Sequence, residues 1–303
     1  MQPPTSVAPT LPAPAASPVP GNTVPRNTLW RRALRNPSFM IGLVLTALLL
    51  LAAGLSYVWT PHSAFEMNME AKLQGPSLAH WLGTDAYGRD VASQLLLGAR
   101  ASILVGVIAV GIGVVVGTAL GLLAAAKRGW VEEAIMRLAD FSLAFPAILS
   151  AIMLTAVFGP GIVNAIVAIG IYNIPMFARI ARGSANTIWG REYVTAARAC
   201  GKGAWAITWQ HVLPNISATL IVQCTIRFAI AILAEAALSY LGLGTQPPQP
   251  SWGRMLSEAQ TLMFQAPLLA VFPGVAIALS VLGLNLLGDG LRDLLDPRLA
   301  RKR

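Results

Sequence analysis

The sequence predicts an all-α polytopic membrane protein with six transmembrane helices, and its composition and apolar runs support this fold class. Of the 303 residues, 55% are apolar and only 12% are charged, whereas about 25% of residues are charged in a soluble domain. Mean hydropathy is +0.62. A helix needs about 20 mostly apolar residues to cross a bilayer. Six stretches meet this requirement, at about 38–59, 101–126, 139–158, 162–181, 213–242 and 266–288.

The start of the chain predicts a tail and an anchor. Residues 1–27 are rich in proline and carry no charge before Arg26, so we expect a disordered cytoplasmic tail. The tail lacks the basic start and apolar run of a cleaved signal peptide. Residues 28–81 are therefore assigned to a retained anchor helix and the beginning of an outer loop.

The basic residues predict the orientation of the helices, because Lys and Arg are retained on the cytoplasmic side. With the N-terminus placed inside, inner segments carry most of the 22 Lys and Arg, and outer segments carry Lys72, Arg89, Arg100 and Arg254. Both termini are therefore predicted to be cytoplasmic. This asymmetry accounts for the net charge of +9, so the expected partner is the lipid bilayer and not nucleic acid.

Signatures of catalysis and of metal binding are missing from the sequence. His62 and His80 stand 18 residues apart without an HExxH motif, and we interpret them as separate polar surface side chains. Cys200 and Cys224 fall in an inner loop and in a span, so we expect no disulfide. The GKG segment at 201–203 lacks the first glycine and the Ser or Thr of a phosphate loop. We predict no catalytic residue, no cofactor and no metal, and we favour a membrane enzyme least.

The most informative segment is a polar, basic stretch between two apolar runs, EYVTAARACGKGAWAITWQHVLPN at 192–215. Small side chains there let a helix approach a partner surface, and Gly201 permits a turn into a second short helix. Proline is tolerated in the first turn of a helix, so Leu213 and Pro214 are predicted to begin the next span. The segment resembles the EAA coupling loop of ABC-importer permeases. The resemblance implies docking to an ATPase through Glu192, Thr195, Ala196, Ala197, Gly201, Leu213 and Pro214.

One position departs from the family pattern. The glutamate of the EAA signature falls on Thr195, which carries no carboxylate. Glu192 lies three residues earlier, and two interpretations of it stay open. It supplies the missing carboxylate, or it favours the start of a helix as an N-terminal acidic residue.

Three further blocks, at 82–106, 235–256 and 284–298, are similar to the second permease of dipeptide, oligopeptide and nickel importers. The resemblance implies a type I ABC-importer transmembrane domain at 82–291, with a coupling loop at 183–212 and a basic cytoplasmic tail at 292–303. It also implies a bacterial inner membrane, a homologous second permease, two ATP-binding subunits and an extracytoplasmic solute-binding protein.

The cargo implied by the resemblance is di- or oligopeptides, moved with ATP that the partner subunits hydrolyse. Within the same class, the alternatives are nickel chelates, opines, glutathione and oligosaccharides. A stand-alone channel or ion-coupled carrier is the alternative from another class.

Polar groups inside the spans leave further alternatives. An ionised group at the bilayer centre costs about 2.5 to 3.5 kcal/mol, so Arg227 and Glu235 should face the bundle interior or a wet pathway. They stand about 12 Å apart along a helix, so they should not pair with each other. Each of Arg227 and Glu235 lines the pathway or locks helices together, and for Glu235, near the outer end of its span, structural anchoring is favoured. The glycines at 113, 117 and 121 favour close helix crossing, within the subunit or against the other permease.

The loop at 243–265 contains Trp252, an aromatic residue that we expect at the membrane interface. The loop contacts the solute-binding protein or caps the pathway, and the sequence favours neither.

Overall fold

The computed structural model describes residues 32–295. Regular structure within this range is helical, apart from an isolated bridge between Thr84 and Asp90, so the all-α class is confirmed. The predicted tail at 1–27 and the last residues, 296–303, lie outside the described range. The helices are α1 (Pro37–Leu55), α2 (Val91–Lys127), α3 (Gly129–Ala144), α4 (Ala147–Phe158), α5 (Ile162–Trp189), α6 (Glu192–Ala199), α7 (Ala204–Tyr240), α8 (Trp252–Ala259) and α9 (Leu268–Leu295).

Five of these helices are long and apolar enough to cross a membrane, and a sixth span results if α3 and α4 are counted together. The first span begins with a cap: the Asn36 side chain accepts a hydrogen bond from the Phe39 N–H at 3.1 Å, and Pro37 occupies the first turn. Both features favour a helix start. α1 packs along α9, and its other faces expose apolar side chains such as Leu48 and Leu51. Such faces suit contact with lipid.

The stretch predicted as a span at 139–158 is divided into two helices. α3 and α4 meet at Phe145 and Pro146 with a bend of 85°. Proline lacks an N–H and disfavours helical backbone at the residue before it. The 12 residues of α4 rise only about 18 Å, which is shorter than a hydrocarbon core of about 30 Å.

Glycines of α2 pack closely against α5. A Cβ atom added to Gly117 would overlap the carbonyl oxygen of Ile174. A Cβ atom added to Gly121 would overlap the carbonyl oxygen of Ala178. Gly113 and Gly117 also bound a π-helical turn in α2. Of the two interpretations of this glycine repeat, the structure supports crossing within the subunit.

α7 begins earlier than the predicted start at Leu213. Its helix runs from Ala204 and includes a π-helical turn over Thr208–Val212, where the Leu213 N–H donates to the Thr208 carbonyl oxygen. The wider turn lets the helix continue into Pro214, which has no N–H to donate. At the other end of the chain, α9 continues to Leu295 and so includes the first residues of the predicted basic tail.

Candidate functional site

The short helix α6 has one buried face and one exposed face. Val194 and Ala197 are buried in the main apolar core, whereas Thr195 and Ala196 are exposed. Glu192 is its first residue and is also exposed. A carboxylate there is stabilised by the helix dipole, an effect worth about 0.3 to 1 kcal/mol. α6 therefore exposes Glu192, Thr195 and Ala196, while Val194 and Ala197 pack it against the rest of the chain.

The turn after α6 depends on Gly201, whose φ is +79°. The Gly201 N–H donates to the Arg198 carbonyl oxygen at 2.9 Å, and the Lys202 N–H donates to the Ala197 carbonyl oxygen at 3.1 Å. These two bonds form a Schellman motif, which ends a helix with a residue in the left-handed region. Since no atom lies within 4 Å of an added Cβ, backbone conformation and not space requires glycine here.

Side-chain contacts hold α6 to the two neighbouring helices. The Arg198 guanidinium lies over the buried Trp189 ring, 4.9 Å from its centroid. The Tyr193 and His211 rings are 6.1 Å apart. Lys202 Nζ donates to Gln210 Oε1 at 2.8 Å. Motion of α6 would therefore be passed to the end of α5 and the beginning of α7.

Exposed aromatic side chains surround this helix. Trp205 is 67% exposed and Trp209 is 53% exposed, and their rings meet edge to face at 5.8 Å. Tyr193 on α6 is also exposed. Aromatic residues are enriched in protein interfaces. Sequence analysis missed both tryptophans, although their spacing of four residues in a polar segment predicts one shared helix face. Because the sequence resembles a coupling loop here, we use the name coupling surface for the exposed residues Glu192, Tyr193, Thr195, Ala196, Trp205 and Trp209.

Leu213 and Pro214, the last two residues predicted for the coupling site, lie within α7, beyond the π-helical turn. Leu213 is half-buried against the main core, and Pro214 is exposed.

The two charged residues of α7 have separate environments. Glu235 is fully buried and accepts hydrogen bonds from Ser239 Oγ at 2.7 Å and Thr245 Oγ1 at 3.3 Å. These bonds tie the end of α7 to the following loop. Arg227 is half-buried, and within residues 32–295 no carboxylate lies at ion-pair distance from it. Its Nε is buried without a hydrogen-bond acceptor in the same range.

An ion network joins the segment before α2 to α8. Arg89 donates to Asp85 at 2.6 Å and to Glu258 at 2.7 Å, and Gln94 donates to Asp85 at 2.8 Å. Although burial lowers the pKa of Arg89, the carboxylates of Asp85 and Glu258 raise it above its usual value. The network fixes the two segments against each other.

Trp252, which the sequence predicts at the level of the membrane interface, packs inside this end of the molecule. It is buried, and its Nε1–H donates to the Leu95 carbonyl oxygen at 3.0 Å. A side chain on Gly98 of α2 would overlap the indole ring. The absence of a side chain at Gly98 is what makes room for Trp252.

A cavity of about 1030 Å³ opens beside the end of α1 and the first turns of α2. Arg100 lies on its wall, with its guanidinium 3.7 Å from the centroid of the Tyr57 ring. The remaining walls come from 60–65, 160–164 and 245–250.

His62 and His80 come together although they are distant in sequence. Their ring centroids are 4.6 Å apart, and His80 Nδ1 lies 3.0 Å from Asp90 Oδ1. One ring nitrogen from each histidine and one Asp90 oxygen lie within 4.8 Å of one another. His62 is exposed and His80 is partly exposed, as expected of polar surface residues, but their close approach was not predicted, because the turns between them fold the segment back on itself.

Asp90 is held as a carboxylate at the start of α2. Burial raises the pKa of Asp90, but hydrogen bonds from His80 and Ser93 together lower it by more. The pKa therefore lies below its usual value. Ser93 donates both its N–H, at 2.8 Å, and its Oγ–H, at 2.7 Å, to Asp90 Oδ2. The negative charge of Asp90 therefore persists over the physiological pH range.

Comparisons with known proteins agree with the arrangement of helices. Residues 117–301 match the family described as binding-protein-dependent transport system inner membrane component. Residues 25–76 match the N-terminal TM domain of oligopeptide transport permease C.

Curated relatives are similar over most of the chain. The glutathione transport system permease protein GsiD of Pectobacterium atrosepticum is 43% identical over 271 residues, which cover 89% of this chain and 90% of that protein. The dipeptide transport system permease protein DppC of Alkalihalophilus pseudofirmus is 43% identical over 274 residues, with the same two coverages. GsiD of Escherichia coli O6:K15:H31 is 44% identical over 271 residues, which cover 89% of each chain.

Proposed function

The chain belongs to the family of inner membrane components of binding-protein-dependent transport systems, and we propose that it forms half of the pathway through which an ABC importer moves small peptides. The coupling surface carries this proposal. A channel or an ion-coupled carrier docks no ATPase, so a coupling segment would have no purpose in either class.

ATP is hydrolysed by two separate subunits, and each transport cycle moves α6. Because α6 packs through Val194 and Ala197 against the spans, a shift of the docked ATPase is passed to α5 and α7. Rigid-body rocking of packed helices is the expected response. Glu192 and Thr195 are the exposed polar contacts, and Trp205 and Trp209 supply the apolar ones.

The cargo is a peptide delivered by an extracytoplasmic solute-binding protein. Relatives named for dipeptide and for glutathione transport match this chain with equal identity, 43%, so glutathione is the second candidate. Both cargoes carry carboxylates. Arg227 is half-buried without a carboxylate partner in the described residues, which suits a pathway residue or a lock against the second permease.

The protein resides in a bacterial inner membrane with both termini in the cytoplasm. The basic residues support this orientation, because Arg191, Arg198 and Lys202 surround α6. The same orientation brings the coupling surface to the compartment that contains ATP.

Copurification tests the ATPase partnership. The tagged chain, extracted in mild detergent, should bring a second permease and ATP-hydrolysing subunits, identified by mass spectrometry and an ATPase assay. Trp209→Ala should reduce the recovered ATPase several-fold. Phe264→Ala is the matched control, since Phe264 is fully exposed but distant from α6 in sequence and predicted to lie outside. A chain that purifies alone, or equal recovery with both variants, would contradict the proposal.

Competition distinguishes the two cargoes. Proteoliposomes of the complex with its solute-binding protein should accumulate a labelled dipeptide when ATP is supplied, and excess unlabelled dipeptide should compete better than glutathione. Stronger competition by glutathione than by the dipeptide would identify glutathione as the cargo. Accumulation of the dipeptide without ATP would instead support an ion-coupled carrier.

A further inference from the structure

We propose that His62, His80 and Asp90 form a binding site for a divalent transition-metal ion of the zinc class. The three residues come from two segments, one after α1 and one at the start of α2. The site is independent of the transport function, because it rests only on the geometry of these side chains.

The distances suit a metal with short bonds. Zinc binds histidine nitrogen at about 2.0 to 2.1 Å and carboxylate oxygen at about 2.0 to 2.2 Å, in tetrahedral geometry. Two such ligands lie about 3.3 Å apart, and His80 Nδ1 and Asp90 Oδ1 are separated by 3.0 Å. A nitrogen of His62 lies within 4.8 Å of both. Because His62 is exposed, a small shift of its ring, with the Nε2 contact to Ala79 kept, would bring Nδ1 to the ion as the third ligand, and water would take the fourth position.

The chemical types of the ligands determine which ions the site would bind. Imidazole suits zinc, copper, iron and nickel, whereas magnesium and calcium prefer oxygen ligands. Binding replaces the proton shared between His80 Nδ1 and Asp90 with the metal, and that proton leaves to solvent.

Surrounding hydrogen bonds hold two of the ligands in place. Ser93 binds Asp90 Oδ2 through both its N–H and its hydroxyl, and its Oγ accepts the His62 N–H at 3.0 Å. His62 Nε2 lies 2.7 Å from the Ala79 carbonyl oxygen, so Nε2 carries the proton and Nδ1 keeps its lone pair. Outer contacts of this kind fix the orientation of metal ligands.

A bound ion would fasten the wall of the large cavity. His62 belongs to the segment 60–65, other residues of which line that cavity, whereas Asp90 is the N-cap of α2. The ion would clip this segment to the helix. Its expected effect is to limit motion of the cavity wall.

Metal titration of the full chain, with whatever subunits copurify, tests the site. The tag must contain no histidine, and bound metal is first removed with a chelator. Zn²⁺ and Co²⁺ are then titrated, with the ligand-field absorption of Co²⁺ and the Zn²⁺-dependent rise in Tm as readouts. His62→Gln and His80→Gln each remove one ligand, and His211→Gln is the control because His211 lies at the coupling surface end.

The expected result is one bound ion per chain, with affinity lowered at least tenfold in His62→Gln and His80→Gln and unchanged in His211→Gln. Because His62 is exposed, His62→Gln should leave the Tm of the metal-free protein unchanged. A loss of metal binding in this variant would therefore not result from a loss of fold. Absence of saturable binding to the wild-type chain, or equal affinity in His62→Gln and wild type, would overturn the proposal.

Discussion

Gly201 shows how one residue sets the geometry of the coupling surface. At φ +79° the chain reverses after α6 and both bonds of the Schellman turn form. A residue with a side chain pays about 1 to 2 kcal/mol for the left-handed conformation. Gly203, two residues later, has φ −69°, which any residue adopts.

Gly201→Ala should therefore weaken association with the ATPase by about fivefold or more, because about 1 kcal/mol of strain opposes the docked turn. Gly203→Ala is the matched control, since its added Cβ also meets open space. The measurement is ATPase recovered on copurification, together with its stimulated activity. Equal losses in both variants would mean that the turn conformation is not what matters.

The crossing of α2 and α5 depends on helix faces without side chains. Gly117 and Gly121 lie directly on the α5 backbone, and the helices bury Phe177, Ala178 and Ala181 between them. Without a hydrophobic driving force between helices in lipid, such close packing is a main source of association. The glycine face therefore positions the span that leads into α6.

Gly117→Val should lower Tm in detergent, because the isopropyl group forces α2 and α5 apart at a cost of about 1 to 3 kcal/mol. Gly111→Val adds the same side chain to the same helix, where no atom lies within 4 Å of an added Cβ. The control should unfold near the wild-type temperature. A matching fall in both variants would point to helix propensity as the cause, not to the crossing.

Considered as a whole, the molecule has two chemically different ends. One carries the coupling surface with its basic residues, and the other carries the Asp85–Arg89–Glu258 network, the large cavity and the histidine pair. The transport proposal requires these ends to face opposite compartments. The single cysteine on the coupling side, Cys200, is exposed, whereas Cys224 is half-buried.

Cysteine labelling tests this orientation. In a Cys224→Ala background without ATPase subunits, a membrane-impermeant maleimide should label Cys200 in inside-out vesicles but not in intact spheroplasts. Leu78→Cys, placed at a fully exposed position of the outer loop and combined with Cys200→Ser, should show the opposite pattern. Labelling of Cys200 from the outside would reverse the proposed topology.

Composition and hydrophobic runs were sufficient to predict an all-α membrane protein and five of its spans, because burial in lipid imposes a length and an apolarity that each segment must satisfy alone. The turn between α6 and α7 was likewise predictable, since Gly201 acts locally. The hydrophobic runs did not reveal two local features, the bend at Pro146 and the early start of α7. Two further features depended on contacts between separate segments: the burial of Trp252 against Gly98 and the meeting of His62 with His80 and Asp90. The order of residues in a segment determines its hydropathy, its length and its local conformation. Only tertiary packing decides which side chains of different segments become neighbours.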